Sequence, residues 1–281
     1  FSLARLAELI FLAGSNFIML AYLRFTACLS AVLAAMHARA SEPARPMSTD
    51  RPDTTESPYT VPAGMFQIEA SFFDYSRDSA DGNRLREWSW SEINFKAGLA
   101  RDVDLQVILS AWNESVLTRR GGSERLSGVS DVTVRLKTNL LGNDEGRSAF
   151  GLMPYVTIPS GSGVSADAWQ GGLIAPFAFE VNDRVSLGLM AEADLVYDED
   201  TGGHDLEWLH SATVGIALTE PLGMYLELVG IAGEDTNYQG IFNAGLTFAV
   251  SDDLVFDAGV RIGLNRPAPD FGVFTGVSFR F

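Results

Sequence analysis

The chain is short of thiols and of basic residues, and each shortage excludes a class of protein. Its only cysteine, Cys28, lies in the N-terminal apolar region. The rest of the chain therefore has no thiol and no disulfide, which is compatible with an oxidising periplasm. Lys and Arg number 20 against 36 Asp and Glu, a formal net charge of -16 over 281 residues. Nucleic acid is excluded as a partner, because its phosphates require a basic face.

Long hydrophobic runs are also missing beyond the N-terminal region. A transmembrane helix needs roughly 18 or more apolar residues in succession, and no stretch after residue 40 approaches that length. A membrane β-barrel is still allowed, because only alternate residues of a barrel strand face the lipid. A chain of this length can form one such barrel without a second domain.

Residues 1–40 have the pattern of a cleaved signal peptide, within which residues 1–18 are interpreted as an upstream extension. A short basic region is followed by an apolar stretch, and Ala38-Arg39-Ala40 fits the small-residue cleavage site ahead of Ser41. An uncleaved membrane anchor is the alternative, and the short apolar run disfavours it. We expect the exported chain to begin at Ser41.

Residues 41–63 form a charged segment that is rich in proline. Proline removes a backbone donor, so this stretch cannot be a helix or a central strand. We expect an extended lead-in that is either free in the periplasm or folded back into a lumen. Its five prolines are Pro43, Pro46, Pro52, Pro58 and Pro62.

From residue 64 to residue 281, apolar residues alternate with polar or small ones, which is the period of a β-strand with two unlike faces. Each segment reaches the length of about 9–11 residues that a tilted membrane strand needs. The sequence therefore predicts an all-β protein, a transmembrane antiparallel up-and-down β-barrel of about twelve strands. The segments are 65–75, 88–99, 103–112, 128–140, 148–158, 170–181, 185–197, 206–219, 222–232, 238–250, 254–264 and 271–281.

The connections between these segments alternate in length. Five are short, and the others, such as 76–87 and 113–127, are mostly longer. An even number of strands with tight turns at one end and long loops at the other is typical of single-chain outer-membrane barrels. A soluble sandwich has no reason to sort its loops in this way. We expect a bacterial outer-membrane location with both termini in the periplasm. The short connections are 100–102, 142–147, 182–184, 220–221 and 251–253.

Aromatic residues mark the two edges of the predicted barrel. Five tryptophans fall at strand ends next to the longer loops, where amphipathic rings prefer the membrane–water interface. We expect outer-membrane lipid and lipopolysaccharide as partners there. At the other end the last strand stops on Phe281, which we expect the barrel assembly machinery to use as its signal. The tryptophans are Trp88, Trp90, Trp112, Trp169 and Trp208.

Charged residues collect on the face of the strands that is predicted to line the lumen. Their mixed signs allow either a narrow pore with a charge preference or a bore closed by ion pairs. Asp74 and His210 fall on the apolar parity instead, towards strand ends. The lumen-lining candidates are Glu69, Glu92, Lys96, Asp131, Arg135, Lys137, Glu192, Asp194, Glu227, Asp257 and Arg261.

The lead-in carries a motif that extends into the first strand: Thr49-Asp50-Arg51-Pro52-Asp53, then Glu56-Ser57-Pro58, Gly64, and Gln67-Ile68-Glu69. This motif is similar to the start of an outer-membrane transporter family labelled "MetA-pathway of phenol degradation". The resemblance implies a transporting barrel and says little about its solute. From the residues alone, the charges of the motif either pin the lead-in to lumen charges or belong to a solvated tail.

No catalytic, cofactor-binding or metal-binding set emerges from the sequence. A barrel phospholipase would carry a serine two residues after its histidine, and here Ala212 follows His210. His204 has no positioned nucleophile, and the acidic loop of residues 198–205 is interpreted as solvated rather than as a Ca²⁺ site. The sequence therefore predicts a non-enzymatic channel or transporter for passive uptake of small solutes, aromatic or hydrophobic ones included. The alternatives are a lipid- or peptide-hydrolysing barrel enzyme and a closed structural barrel.

Overall fold

The computed structural model describes residues 45–80, 82–166, 168–234 and 237–281, and they fold into one all-β unit. The predicted signal peptide, residues 1–40, lies outside the described residues. Among the described residues, no helix is long and apolar enough to span a membrane. The strands are β1 Phe66–Ala80, β2 Asn83–Ala100, β3 Val103–Arg119, β4 Gly122–Gly128, β5 Val132–Leu141, β6 Ser148–Ile158, β7 Gln170–Asn182, β8 Val185–Asp198, β9 Gly203–Ala217, β10 Leu222–Gly233, β11 Gln239–Ser251, β12 Leu254–Gly263 and β13 Phe271–Arg280.

Twelve of these strands close into an antiparallel ring. β1 pairs with both β2 and β13, and the ring continues from β2 through β3, β5 and each following strand to β13. β4 stays outside the ring and pairs only with the distal part of β3, Asn113–Arg119. The predicted up-and-down barrel of about twelve strands is thus confirmed. Because the ring is closed, no strand edge is left unpaired in the barrel wall.

The seam between the first and last strands is closed by aromatic residues. Phe66 and Phe281 exchange two backbone hydrogen bonds of 2.9 Å, and their ring centroids lie 5.8 Å apart. Phe95 on one side and Phe279 on the other extend this stack, with centroid distances of 5.6 and 5.9 Å. Phe281 therefore packs as a structural part of the seam.

The short connections lie at one end of the barrel, which we call the turn end, and both β1 and β13 meet there. The opposite end is the loop end. The predicted loops 76–87 and 113–127 are wrong, because these residues continue β1, β2 and β3 and form β4. Both faces of these extensions carry polar residues, so the sequence shows no alternation there. Gly82, with a φ of +79°, supplies the left-handed backbone of the tight turn between β1 and β2.

A β-bulge in β1 changes which face of the strand points inward. The register of β1 against β13 shifts between Ser71 and Phe73. Beyond this bulge Asp74 forms an ion pair with Arg261. One extra residue moves every following side chain to the opposite face of the strand. Asp74 therefore faces the lumen, although the sequence alternation put it on the apolar face. His210 does lie on the outer face, next to the ring of Tyr238 at 5.9 Å.

The outer face is apolar, and aromatic residues lie on it towards the loop end. Trp90 and Trp112 are opposite each other on β2 and β3, and about half of each side chain is exposed. Trp169 and Trp208 are exposed to a similar degree. The ring of Trp88 packs 5.4 Å from that of Tyr75. These rings form a belt of the kind that membrane barrels place at an interface.

Candidate functional site

The lumen holds the lead-in segment, which we define as residues 45–64. It enters at the turn end, where Arg45 forms an ion pair of 2.7 Å with Asp144. It returns to the same end, where the Thr60 hydroxyl donates to the carbonyl of Arg101 at 3.2 Å. The residues between these points bind inward-facing side chains of the strands. The lead-in segment is therefore a loop inserted into the turn-end half of the barrel.

Asp50 is the centre of these contacts. Its carboxylate forms ion pairs with Lys96 and with Lys137, the latter at 2.6 Å. Both lysine side chains are about 1% exposed, and Lys96 also pairs with Glu69. A buried ammonium is tolerated only when it is paired and hydrogen-bonded. Asp50 therefore provides a counterion for the two lysines that the barrel wall buries in the lumen.

The wall also satisfies the backbone of the lead-in segment. The carboxylate of Glu69 accepts hydrogen bonds from the N–H groups of Asp50 at 3.1 Å and Arg51 at 3.0 Å. Glu227 accepts from the N–H groups of Thr54 at 2.9 Å and Thr55 at 2.7 Å. The backbone of this proline-rich segment does not pair with a strand, so these carboxylates accept the hydrogen bonds that a neighbouring strand would otherwise accept.

Arg51 is held by the opposite wall. Its guanidinium donates two hydrogen bonds to Asp257, of 2.8 and 3.1 Å. It lies 5.8 Å from the ring centre of Phe274, over which Arg261 also lies at 4.9 Å. Gly276 leaves the room that this arrangement needs, because a side chain there would collide with the Arg51 guanidinium.

Glu56 reaches the far side of the lumen and pairs with Arg135. Its N–H lies 3.3 Å from the sulfur of Met190, within an apolar cluster that also contains Met153 and Ile174. The lumen wall is thus mixed: charged residues from several strands surround a small apolar cluster on β6, β7 and β8.

The structure brings most of the predicted lumen residues together around the lead-in segment. Glu69, Lys96, Lys137, Glu227 and Asp257 are all 5% exposed or less. Glu92 remains open, with the Ser110 hydroxyl 3.3 Å from its carboxylate. Glu192 and Asp194, two further lumen-lining candidates, lie on β8. Asp194 is buried and accepts a hydrogen bond from Tyr155 on β6.

Asp131 lies outside the lumen wall, just before β5 begins. Its carboxylate accepts hydrogen bonds from the N–H groups of Ser160 at 2.9 Å and Ala166 at 3.0 Å. Although burial opposes the change, hydrogen bonds from Ser165, Ser160 and Ala166 lower its pKa. Asp131 thus holds the β6–β7 loop at the loop end. The sequence placed it in the wall because the predicted strand began four residues too early.

Sequence reasoning missed the neutral polar residues that contact the lead-in segment. Asn139 donates to the carbonyl of Pro58 at 2.9 Å, and Asn243 donates to the Thr54 hydroxyl at 3.1 Å. Asp104, a charge on the same parity, accepts the N–H of Val61 at 2.9 Å. All three occupy inward positions, so the alternation marked them. The choice of charged groups as the signal left out the two asparagines, whereas Asp104 belongs to the charged inward parity itself.

Two cavities of the lumen are lined by residues that the structure describes. One of about 650 Å³ opens at the loop end and is lined by Trp88 and Phe271 together with the acids Asp74, Glu87, Glu114 and Glu199. The other, about 500 Å³, lies at the turn end and is lined by Thr49, Arg51, Pro52 and Asp53 of the lead-in segment. Arg261 lines the first cavity and Arg51 the second. The Phe274 ring that both arginines cover therefore belongs to the partition between them.

The histidines take part in ordinary contacts. A ring nitrogen of His204 lies 2.7 Å from the carbonyl oxygen of Trp169. That of His210 lies 3.4 Å from the Tyr238 hydroxyl. Within the described part of the chain, no group of three or more His, Cys, Asp or Glu side chains is arranged to hold a metal ion.

Residues 49–281 match a protein family described as "Putative MetA-pathway of phenol degradation". Among solved structures, the chain is similar to an outer membrane channel from Pseudomonas putida F1, with a TM-score of 0.65 and 14% identity over 83% of this chain and 100% of that chain. It also matches NanC porin (TM-score 0.49, 8% identity, 76% and 98% covered) and KdgM porin (0.46, 10%, 74% and 98%). No curated protein matches the chain. At these identities the first likeness shows the fold of an outer-membrane barrel.

Proposed function

The chain belongs to the family that matches residues 49–281, and we propose that it is an outer-membrane channel through which small neutral or cationic solutes diffuse. The similar protein from Pseudomonas putida F1 is an outer membrane channel, which supports this proposal. In the proposed orientation in the outer membrane, the turn end and both termini face the periplasm, and the loop end faces the outside of the cell. Solutes enter at the loop-end cavity and leave through the turn-end cavity.

The observation that carries the proposal is the division of the lumen into two cavities by the lead-in segment. A barrel of twelve strands lies between eight-stranded barrels, which side chains fill, and sixteen-stranded porins, which hold an aqueous channel. Here a chain segment narrows the bore at one end and leaves space on both sides of it. We propose that the lead-in segment sets the width of the path.

The lining of the loop-end cavity supports a solute class. Four carboxylates and one arginine line it, and that arginine is paired with Asp74. Fixed negative charge between low-dielectric walls attracts cations and repels anions. Small cations and neutral molecules fit this lining best.

A closed structural barrel is the second candidate, and the ion pairs of Asp50, Arg51 and Glu56 favour it. A hydrolytic barrel has less support, because position 212 is alanine and His210 contacts Tyr238 rather than a nucleophile.

Single-channel recording in planar bilayers decides between the first two candidates. We expect the folded full-length protein to give discrete conductance steps and, under a salt gradient, a reversal potential of the sign for cation preference. Protein that inserts in its folded, heat-modifiable form and never conducts would refute the channel and support the closed barrel. The same protein unfolded by boiling serves as the control for leakage caused by detergent.

A further inference from the structure

An arginine cluster lies on the hairpin that extends β1 and β2 beyond the aromatic belt. We define it as Arg77, Arg84 and Arg86. The extensions 76–87 and 113–128 hold six of the 20 basic residues of a chain whose net charge is -16. The hairpin 76–87 also holds Asp78, Asp81 and Glu87, so it has no net charge as a segment, and positive charge arises only on the face that its three arginines share.

The cluster faces away from the lumen. Arg77 lies directly opposite Arg86 in the β1–β2 pairing, and Arg84 is two residues further along β2 on the same face. Their strand neighbours Ser76 and Glu87 point the other way and line the loop-end cavity. Since successive side chains alternate between faces, the arginines lie on the outside of the barrel.

Within the described part of the chain, the cluster forms no ion pair with a carboxylate, since no such pair includes Arg77, Arg84 or Arg86. The Arg86 guanidinium lies 5.5 Å from the ring centre of Trp88, and its Nε is buried without a hydrogen-bond partner. Like charges directly opposite each other destabilise a strand pair. An anion from outside the protein would remove this cost.

Two arginines of the neighbouring hairpin lie close to carboxylates, in contrast to the cluster. On β3 and β4, Arg125 forms an ion pair with Glu114, and Arg119 lies 3.7 Å from Glu124. Carboxylates were thus available to this extension, and the cluster on β1 and β2 is left without them.

The position of the cluster relative to the membrane surface indicates which anion it meets. Tyr75 and Trp88, the belt residues nearest to it, are two residues from Arg77 and Arg86, which is about 7 Å at the rise of a strand. Aromatic belts lie at the membrane–water interface. The cluster therefore lies at the level of the lipid head groups, and in the outer leaflet of an outer membrane these are the phosphorylated sugars of lipopolysaccharide.

We propose that Arg77, Arg84 and Arg86 form a binding site for the phosphate groups of lipopolysaccharide on the outside of the barrel. The proposal rests on the outward orientation of the loop end given above, and it does not require the lumen to conduct. Guanidinium groups bind phosphate through paired, charge-assisted hydrogen bonds. Bound lipid would neutralise the repulsion between Arg77 and Arg86 and fix the extended hairpin at the membrane surface.

The test compares two variants with the same change of charge on adjacent hairpins. The site variant is Arg77→Gln/Arg84→Gln/Arg86→Gln, and the control variant is Arg119→Gln/Arg120→Gln/Arg125→Gln. Binding of lipopolysaccharide to each folded protein in detergent is measured by fluorescence titration. We expect the site variant to bind at least tenfold more weakly than wild type and the control variant to stay within about twofold, since one good charged contact already changes affinity by that order.

Two further arms identify the ligand chemistry with wild-type protein alone. Lipopolysaccharide from which the phosphates have been removed should lose at least tenfold in affinity, and phosphatidylglycerol micelles should bind more weakly than the intact lipid. Equal loss in both variants, unchanged binding by the site variant, or undiminished binding of the dephosphorylated lipid would each overturn the proposal. If the triple variant does not fold, Arg86→Lys replaces it, since lysine keeps the charge and loses the paired hydrogen bonds.

Discussion

The two halves of the lumen are built on different principles. The turn-end half is filled by the lead-in segment, three of whose charged residues are paired with the wall: Asp50 with two lysines, Arg51 with Asp257 and Glu56 with Arg135. The loop-end half contains no residue of that segment, and its acids face a cavity of about 650 Å³. One half gains order from paired buried charges, and the other keeps exposed carboxylates such as Glu87 and Glu199 beside an open cavity.

The difference shows why charge patterning alone does not identify a pore. Both halves carry charged residues on inward positions of the same strands. Whether such a residue closes the bore or lines it depends on a partner that comes from elsewhere in the chain. If the lead-in segment is what separates the two halves, then changes to its contacts should alter the turn end strongly and the loop end weakly.

The largest effect is expected for Asp50→Ala. The change leaves the buried Lys137 without its ion pair and Lys96 with Glu69 alone. Removal of one partner from a buried pair costs about 3–5 kcal/mol, so the lead-in segment should leave its place. We expect protease to cleave within residues 45–61 of the folded barrel and conductance to rise severalfold. Limited proteolysis with mass analysis and single-channel recording measure the two effects.

Asp252→Ala is the matched control for this change. It removes the same charge from the same end of the barrel, at an exposed turn residue that lines neither cavity. A wild-type pattern of cleavage and conductance in Asp50→Ala would show that the carboxylate does not hold the lead-in segment. The proposed distinction between the two halves would then fail.

A smaller effect is expected for Arg51→Gln. This change removes the two hydrogen bonds to Asp257 and one of the two guanidinium groups over Phe274. The partition between the cavities should widen, with conductance raised about twofold, since other contacts still hold the segment. Bilayer recording measures this change, and proteolysis reports whether the segment stays in place.

Arg261→Gln provides the comparison from the other side of the same ring. Arg261 lines the loop-end cavity and pairs with Asp74. Its loss should free a carboxylate and strengthen cation preference while leaving the lead-in segment as resistant to protease as in wild type. Equal protease sensitivity in Arg51→Gln and Arg261→Gln would contradict the assignment of these arginines to different halves.

The barrel could be predicted from the sequence because it depends on a local period. Alternation over ten or more residues reports which side of a strand meets lipid, and turn lengths report the strand count. The bulge at Ser71–Phe73 could not be predicted in this way. The extra residue, Phe72, is an ordinary strand residue, and the ion pair that Asp74 forms beyond the bulge is with Arg261 of β12, a strand close to β1 only because the barrel closes through β13.

The residues that line the candidate site could be predicted from the sequence, but the contacts between them could not. The alternation along each strand predicted that Lys96, Lys137 and Asp257 face the lumen. It carries no information on which residues of distant strands or of the lead-in segment lie close to them. The partner of each residue is fixed by the path of the lead-in segment, with sequence separations such as 206 residues for Arg51 and Asp257. Such contacts follow from the closure of the barrel, which no short stretch of sequence encodes.

A moderate effect on selectivity is expected for the double change Glu192→Gln/Asp194→Asn. It removes two inward carboxylates of β8, and asparagine can still accept the hydrogen bond from Tyr155. If the path passes these residues, the cation-to-anion permeability ratio should fall about twofold, because fixed charge in a narrow bore sets this preference. The ratio is measured from the reversal potential under a salt gradient. Glu220→Gln/Asp252→Asn, at exposed turns outside the lumen, should leave it unchanged, and an equal fall in both variants would show that only net charge matters.

The smallest effect concerns acid and the entry of the lead-in segment. Burial slightly opposes ionisation of Asp144, but hydrogen bonds from Arg45 and Arg101 outweigh it and lower the pKa of Asp144 below its ordinary 3.8. A carboxylate with a lowered pKa stabilises the docked segment above the ordinary value, and this contribution disappears as the pH falls through the lowered one. Brief pepsin digestion should therefore cut near Arg45 faster at pH 2 than at pH 4, relative to a reference peptide. In Asp144→Asn the cutting rate should already be high at pH 4 and change no further. A variant that kept the wild-type pH dependence would assign the acid response to another carboxylate of the turn end.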